Sequence, residues 1–198
     1  MGRKRKEDQK KKVTPLKVRP VMRKQAGKIT EPYSILERLL EEKAVFEHIR
    51  HCRVKLWWAK DWKVDADGIA TGATVCKANE IDRNLVEENV GVKETPDVFI
   101  KLAEASWQFL KEKDKERLIF HELCHVHPAK DANGEQKKDA KDRWLWRIGR
   151  HPITTFPEEI SEYGLEAVLG SSQAIQTAID KAAAPLLAEA ERNAKAAT

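Results

Sequence analysis

Apolar residues recur at helical spacing between Pro32 and Arg50, where Ile35, Leu36, Leu39, Leu40 and Phe46 fall on one broad face; the pattern predicts a helix with Pro32 in its first turn. The period then drops to two. Arg53-Val-Lys-Leu-Trp-Trp58 alternates and predicts a strand, Ile69–Lys77 a second, and Asp97–Leu102, after Thr95-Pro96, a third. Asp65-Ala-Asp-Gly68 reads as the turn between the first two. Residues 103–112 return to helical spacing, and another helix is expected from about Lys115 to His127, stopped by Pro128. A polar loop over 129–142, with a turn at Asn133-Gly134, leads to Arg143–Ile148, whose alternation puts Trp144, Trp146 and Ile148 on one face of a fourth strand. Pro157 opens a helix to about Leu169 that turns Ile160, Tyr163, Leu165 and Val168 inward. Ser171 or Ser172 caps a last, alanine-rich helix, interrupted at Pro185. Three or four strands mixed with helices, without regular βαβ alternation, predict an α+β fold.

Composition divides the chain into three parts. The 198 residues, 41% of them hydrophobic, suffice for one domain with tails. Residues 1–28 hold twelve Lys/Arg against Glu7 and Asp8, so the excess positive charge lies at the N-terminal end and the rest of the chain is mildly acidic. Residues 1–30 are expected to be a disordered basic tail, residues 31–170 the folded domain, and residues 171–198 an alanine-rich helix or tail. Residues 3–28 would meet nucleic-acid phosphates, or serve solubility alone. No apolar run reaches the ~18 residues of a membrane span, and no leader is evident. Cys52, Cys76 and Cys124 are too scattered for a disulfide framework, which points to a reducing, cytoplasmic setting.

The sharpest chemical signal is His121-Glu122-Leu123-Cys124-His125, an HExxH on a predicted helix. Two histidines four apart stand one turn above each other, so both imidazoles can reach one ion, expected to be Zn2+. Glu122, one step round the helix, can take a proton from water beside the metal without displacing a ligand. A catalytic zinc needs a third protein ligand. His151 is one candidate, lying between a strand-like segment and a helix; Glu158, Glu159 and Glu162 on the following helix are the others. His127 is too close to His125 to share the ion from the same helix. An oxyanion would need a further donor, from Tyr163 or His127. A strand over 71–77 or 97–102 could pair with an extended peptide. Cys124, His48, His51 and Cys52 read as ordinary packing or surface residues, and Asp65 and Asp67 as a turn.

The stretch LIFHELCHVHP at 118–128 resembles the phage-type metallopeptidases, a zincin-like family. The likeness spans about residues 50–168. Upstream it takes in Ala73-Thr74-Val75-Cys76-Lys77 and Asp97-Val-Phe-Ile100 followed by Trp107; downstream, His151-Pro-Ile-Thr-Thr-Phe156 and Tyr163-Gly164-Leu165. Pro152 stands where the family often has Asp, and Glu166 where it often has Trp. The resemblance implies a zincin-like fold, a small mixed sheet on an active-site helix, with His151 as third zinc ligand. A looser similarity to SprT-like proteases would pair the basic tail with DNA. The resulting expectation is a zinc metallopeptidase, phage- or prophage-encoded, acting on a protein or peptide substrate. The alternative is a non-catalytic DNA-associated protein with a structural zinc.

Overall fold

A computed structural model of the chain describes residues 18–60, 72–81, 83–84, 95–150 and 156–196. Its centre is a four-stranded mixed sheet. Strand β1 (Val18–Pro20) pairs antiparallel with β4 (Val54–Ala59). Strand β4 lies parallel to β6 (Val98–Ala103), and β6 pairs antiparallel with β5 (Ala73–Lys77), giving the order β1-β4-β6-β5. Leu56, Val98, Ile100 and Leu102 are fully buried, as central-strand positions covered by helices must be. The fold is therefore α+β with a small mixed sheet, as the mixed periodicities predict.

Helix α1 (Glu31–Glu42) carries Ile35, Leu36 and Leu39 into the core. It ends earlier than the apolar spacing predicts. Lys43 is extended, and a 3-10 turn over Ala44–Ile49 swings Phe46 and Ile49 inward instead. After β6 the chain forms only a short α2 (Glu104–Trp107), where ten helical residues were expected. Helix α3 (Glu112–Cys124) packs against α1 and β5. Phe120 of α3 meets Phe46 at 4.7 Å and Tyr163 at 5.1 Å, both edge-on.

The tail expected over 1–30 is corrected for its second half, because residues 18–29 are built into the domain. Strand β1 joins the sheet, Val21 is buried, and β2 (Lys24–Gln25) and β3 (Lys28–Ile29) form a hairpin. Two features outweigh the charge density. Ala26 and Gly27, with φ of 49° and 78°, close a tight turn. Arg19 pairs with Glu104, and Arg23 with Glu37 at 2.8 Å, so two of the basic residues make ion pairs on the surface of the domain. Residues 1–17 lie outside the described residues, as does the turn expected at 65–68.

The C-terminal elements also differ. Helix α4 (Pro157–Tyr163) stops at Gly164, whose φ of 80° breaks the helix well before Leu169. Helix α5 then runs from Leu165 to Ala196 as one element. Ser171 and Ser172 are inside it rather than capping a separate helix, and it continues past position 185. Ala178 and Val168 are buried, so its first half docks on the domain.

One hydrogen bond ties the sheet to α1. Val21 N–H donates to the Leu56 carbonyl at 2.9 Å, but β1 provides no acceptor for the Leu56 N–H. The buried Tyr33 hydroxyl accepts it at 3.1 Å. Tyr33→Phe should leave this buried amide unsatisfied and cost about 1–3 kcal/mol, read as a lower urea midpoint with unchanged slope.

Candidate metal centre

Helix α3 carries His121 and Glu122 in its last turn and His125 at its C-cap. Leu118, Ile119, Phe120 and Leu123 anchor it in the core, and His121 and His125 stay half-buried along its accessible side. The two rings stand 5.1 Å apart, edge to face. Phe156 walls them, 5.3 Å from His121 and 4.7 Å from His125.

Each ring is oriented through Nδ1. His121 Nδ1–H donates to Glu159 Oε2 at 2.9 Å, and His125 Nδ1–H donates to the Gly149 carbonyl at 2.8 Å. A carboxylate and a carbonyl only accept, so the proton belongs on Nδ1 and the neutral tautomer carries its lone pair on Nε2. That is the arrangement a metal-ligating histidine requires. Glu159 is itself held by Arg117 Nη2 at 3.3 Å, and Arg117 also donates to the Ala167 carbonyl. Arg117, Glu159 and His121 thus form a buried chain running from the helical layer to the candidate ligand.

Glu122 is buried, 5% exposed, and its carboxylate is hydrogen-bonded by the backbone of Val75 on β5. Burial pushes its pKa up to about 7, against the opposing pull of His121 and the Val75 bond, with Glu159 adding repulsion. Burial alone would lower the His121 pKa. The Glu159 hydrogen bond and the charges of Glu122 and Glu159 outweigh it, so the net shift is upward.

The other candidates fall elsewhere. Tyr163 donates its hydroxyl to Glu116 Oε1 at 3.0 Å and meets Phe120 edge-on; burial first, then Glu116, raises its pKa. Glu162 pairs with Lys43 at 2.6 Å, and Glu158 is exposed. Glu159 accepts from His121 Nδ1. Among the described residues no three His, Cys, Asp or Glu side chains are gathered to hold a metal. His151, the remaining candidate, lies outside the described residues. His127 is not on the helix, as the run to Pro128 suggested. Helix α3 ends at Cys124, and β7 (Val126–Pro128) pairs antiparallel with β8 (Trp146–Ile148), a strand shorter than the expected 143–148. Cys124 is buried, and burial raises its thiol pKa, so it is inert packing.

Gly149 escaped the reading of the sequence. Its N–H donates to the His125 carbonyl at 2.7 Å, and its own carbonyl holds the His125 ring. A Cβ there would lie 2.7 Å from the His127 ring, which is why no side chain fits. Arg117 was legible only as a charged residue one turn before His121.

The donor chemistry fits a divalent ion of the zinc type: two imidazoles in the correct tautomer, each with its second nitrogen anchored, and a carboxylate beside them. Glu159→Gln should therefore lower zinc affinity about 10–100-fold in competition with a chromophoric chelator, whereas Glu162→Gln should leave it unchanged. A carboxyl whose folded pKa lies above its ordinary 4.5 supplies stability below that pH and loses it as pH rises through about 7. Metal-free Glu122→Gln protein should accordingly gain stability relative to the metal-free parent between pH 5 and pH 7.5, measured by urea unfolding.

A family model described as putative phage metallopeptidase matches residues 27–183. No curated protein and no solved structure matches the chain. The match takes in every element from β3 through the first half of α5, including both histidines of α3 and the glutamate between them. The chain belongs to the phage metallopeptidase family.

Proposed function

We propose that the protein is a zinc-dependent peptidase with a zincin-like arrangement of sheet and active-site helix. The observation that carries the reading is the joint placement of His121, His125 and Glu122: both rings anchored through Nδ1, and a buried carboxylate between them on the same helix. His121 and His125 would hold the ion, with His151 as the third ligand. Bound there, zinc supplies Lewis-acid polarisation of a carbonyl and lowers the pKa of water toward ~7.

The remaining work falls to the chain's own groups. Glu122 holds the proton taken from the attacking water on a carboxylate oxygen and delivers it to the leaving amine. A pKa near 7 in the protein alone suits a group that must both accept and release a proton close to neutrality. Phe156 and the apolar flank of α3 limit water around the rings.

Strand β5 is the better of the two strands weighed for substrate pairing, because it is an edge strand of the sheet while β6 is central. Ala103 N–H bonds the Gly72 carbonyl and Ala78 N–H the Asp97 carbonyl, both at 2.9 Å. With that register the odd positions Ala73, Val75 and Lys77 turn their backbone groups away from β6. An extended peptide adding along this edge would pass Glu122 at Val75. A purely structural zinc site has no use for a buried carboxylate held in that position.

Glu122→Gln should reduce casein or peptide hydrolysis about 10²–10⁴-fold while elemental analysis still finds one equivalent of zinc. Undiminished hydrolysis by the variant, or a parent whose hydrolysis survives complete removal of metal by a chelator, would refute the assignment.

A further inference from the structure

Helices α3 and α4 meet through side chains that stand one turn apart on each. Arg117 and His121 are four positions apart on α3, and Glu159 and Tyr163 four apart on α4, so each pair lies on one face of its helix. The two faces interlock. Glu159 accepts from His121 Nδ1 at 2.9 Å and from Arg117 Nη2 at 3.3 Å. The guanidinium carbon of Arg117 in turn lies over the Tyr163 ring, 5.4 Å from its centre.

Hydrogen bonds alone hold Arg117 loosely. The residue is buried, and its bond to Glu159 is longer than the ~2.7–2.9 Å usual between a guanidinium and a carboxylate. Nη1 donates to the Ala167 carbonyl, and Nε finds no acceptor among the described residues. A buried cation needs more negative potential than this, and the face of an aromatic ring supplies it within ~6 Å. The ring itself is fixed from two sides. Phe120 meets it edge-on at 5.1 Å, and its hydroxyl donates to Glu116 Oε1 at 3.0 Å, whose other oxygen accepts from Arg38 of α1 at 2.9 Å.

We propose that Tyr163 is a positioning residue of the metal centre: its ring face holds the Arg117 guanidinium at Glu159, and through that carboxylate it keeps the His121 ring turned with Nε2 toward the ion. The assignment rests on the reading of His121 as a zinc ligand. The ring carries the effect. The hydroxyl is secondary, because Phe120 already sets the ring's edge.

Zinc affinity of the full-length protein, measured in competition with a chromophoric chelator, tests this without any turnover. We expect Tyr163→Leu to weaken zinc about fivefold, less than the loss from changing the direct partner Glu159, and Tyr163→Phe to stay within about twofold of the parent. In the Glu159→Gln background Tyr163→Leu should cost less than about twofold more, because the route to His121 is already cut. Tyr33→Phe, a destabilising change outside the contact of α3 with α4, controls for lost stability and should leave zinc affinity unmoved. Urea unfolding checks that each variant is folded, and Tyr163→Met replaces Tyr163→Leu if that protein is not. In metal-free protein at about pH 8, nitrogen NMR of the histidine rings should show less of the Nδ1–H tautomer of His121 in Tyr163→Leu and the parent's share in Tyr163→Phe. Unchanged zinc affinity in Tyr163→Leu overturns the proposal. So does equal weakening by Tyr163→Phe, an undiminished effect in the Glu159→Gln background, or an equal loss in Tyr33→Phe. A parent that binds no zinc overturns the reading of the metal centre; the tautomer response then supports the chain from Tyr163 to His121 if it appears and overturns it if it does not.

Discussion

A neutral imidazole has one N–H and one lone pair, and its surroundings decide which nitrogen carries which. In this protein the decision is made twice on one helix. Glu159 fixes it for His121 and the Gly149 carbonyl fixes it for His125, and the two acceptors come from different parts of the fold. Much of the tertiary structure can be understood as the means of bringing them there. Helix α4 must begin at Pro157 to carry Glu159 to α3, and β8 must pair with β7 to return Gly149 beneath His125. Arg117 keeps the buried Glu159 carboxylate charged-paired, without which a lone buried anion would be costly.

The second constraint is the contact between helix and sheet edge. Glu122 is buried, and burial raises its pKa. The Val75 backbone bond keeps the carboxylate from being stranded without a donor. This bond also ties α3 to β5, so the carboxylate proposed to transfer protons and the edge strand share one anchor point.

What the sequence reveals and what it conceals follow from range. The HExxH is legible because helical geometry alone brings residues 121 and 125 onto one face. The main strands are legible because alternation survives in Arg53–Trp58 and Asp97–Leu102. The end of α3 was misplaced by about three residues because Val126–Pro128 leaves the helix to pair with a segment twenty residues later, and no local propensity records that. Glu159 is legible as a nearby carboxylate, but its bond to His121 Nδ1 depends on the packing of α4 against α3, which no local pattern records. Gly149 had no signal at all: its value lies in a missing Cβ facing His127, a tertiary fact. The order in residues 18–29 was hidden by charge density, and came from a two-residue turn and ion pairs to distant glutamates.

The early stop of α3 has an electrostatic consequence. Because the helix closes at Cys124, its carbonyl-rich end, equivalent to about half a negative charge, lies at the two imidazoles. That partial charge favours a cation beside the two rings before any ligand bond has formed.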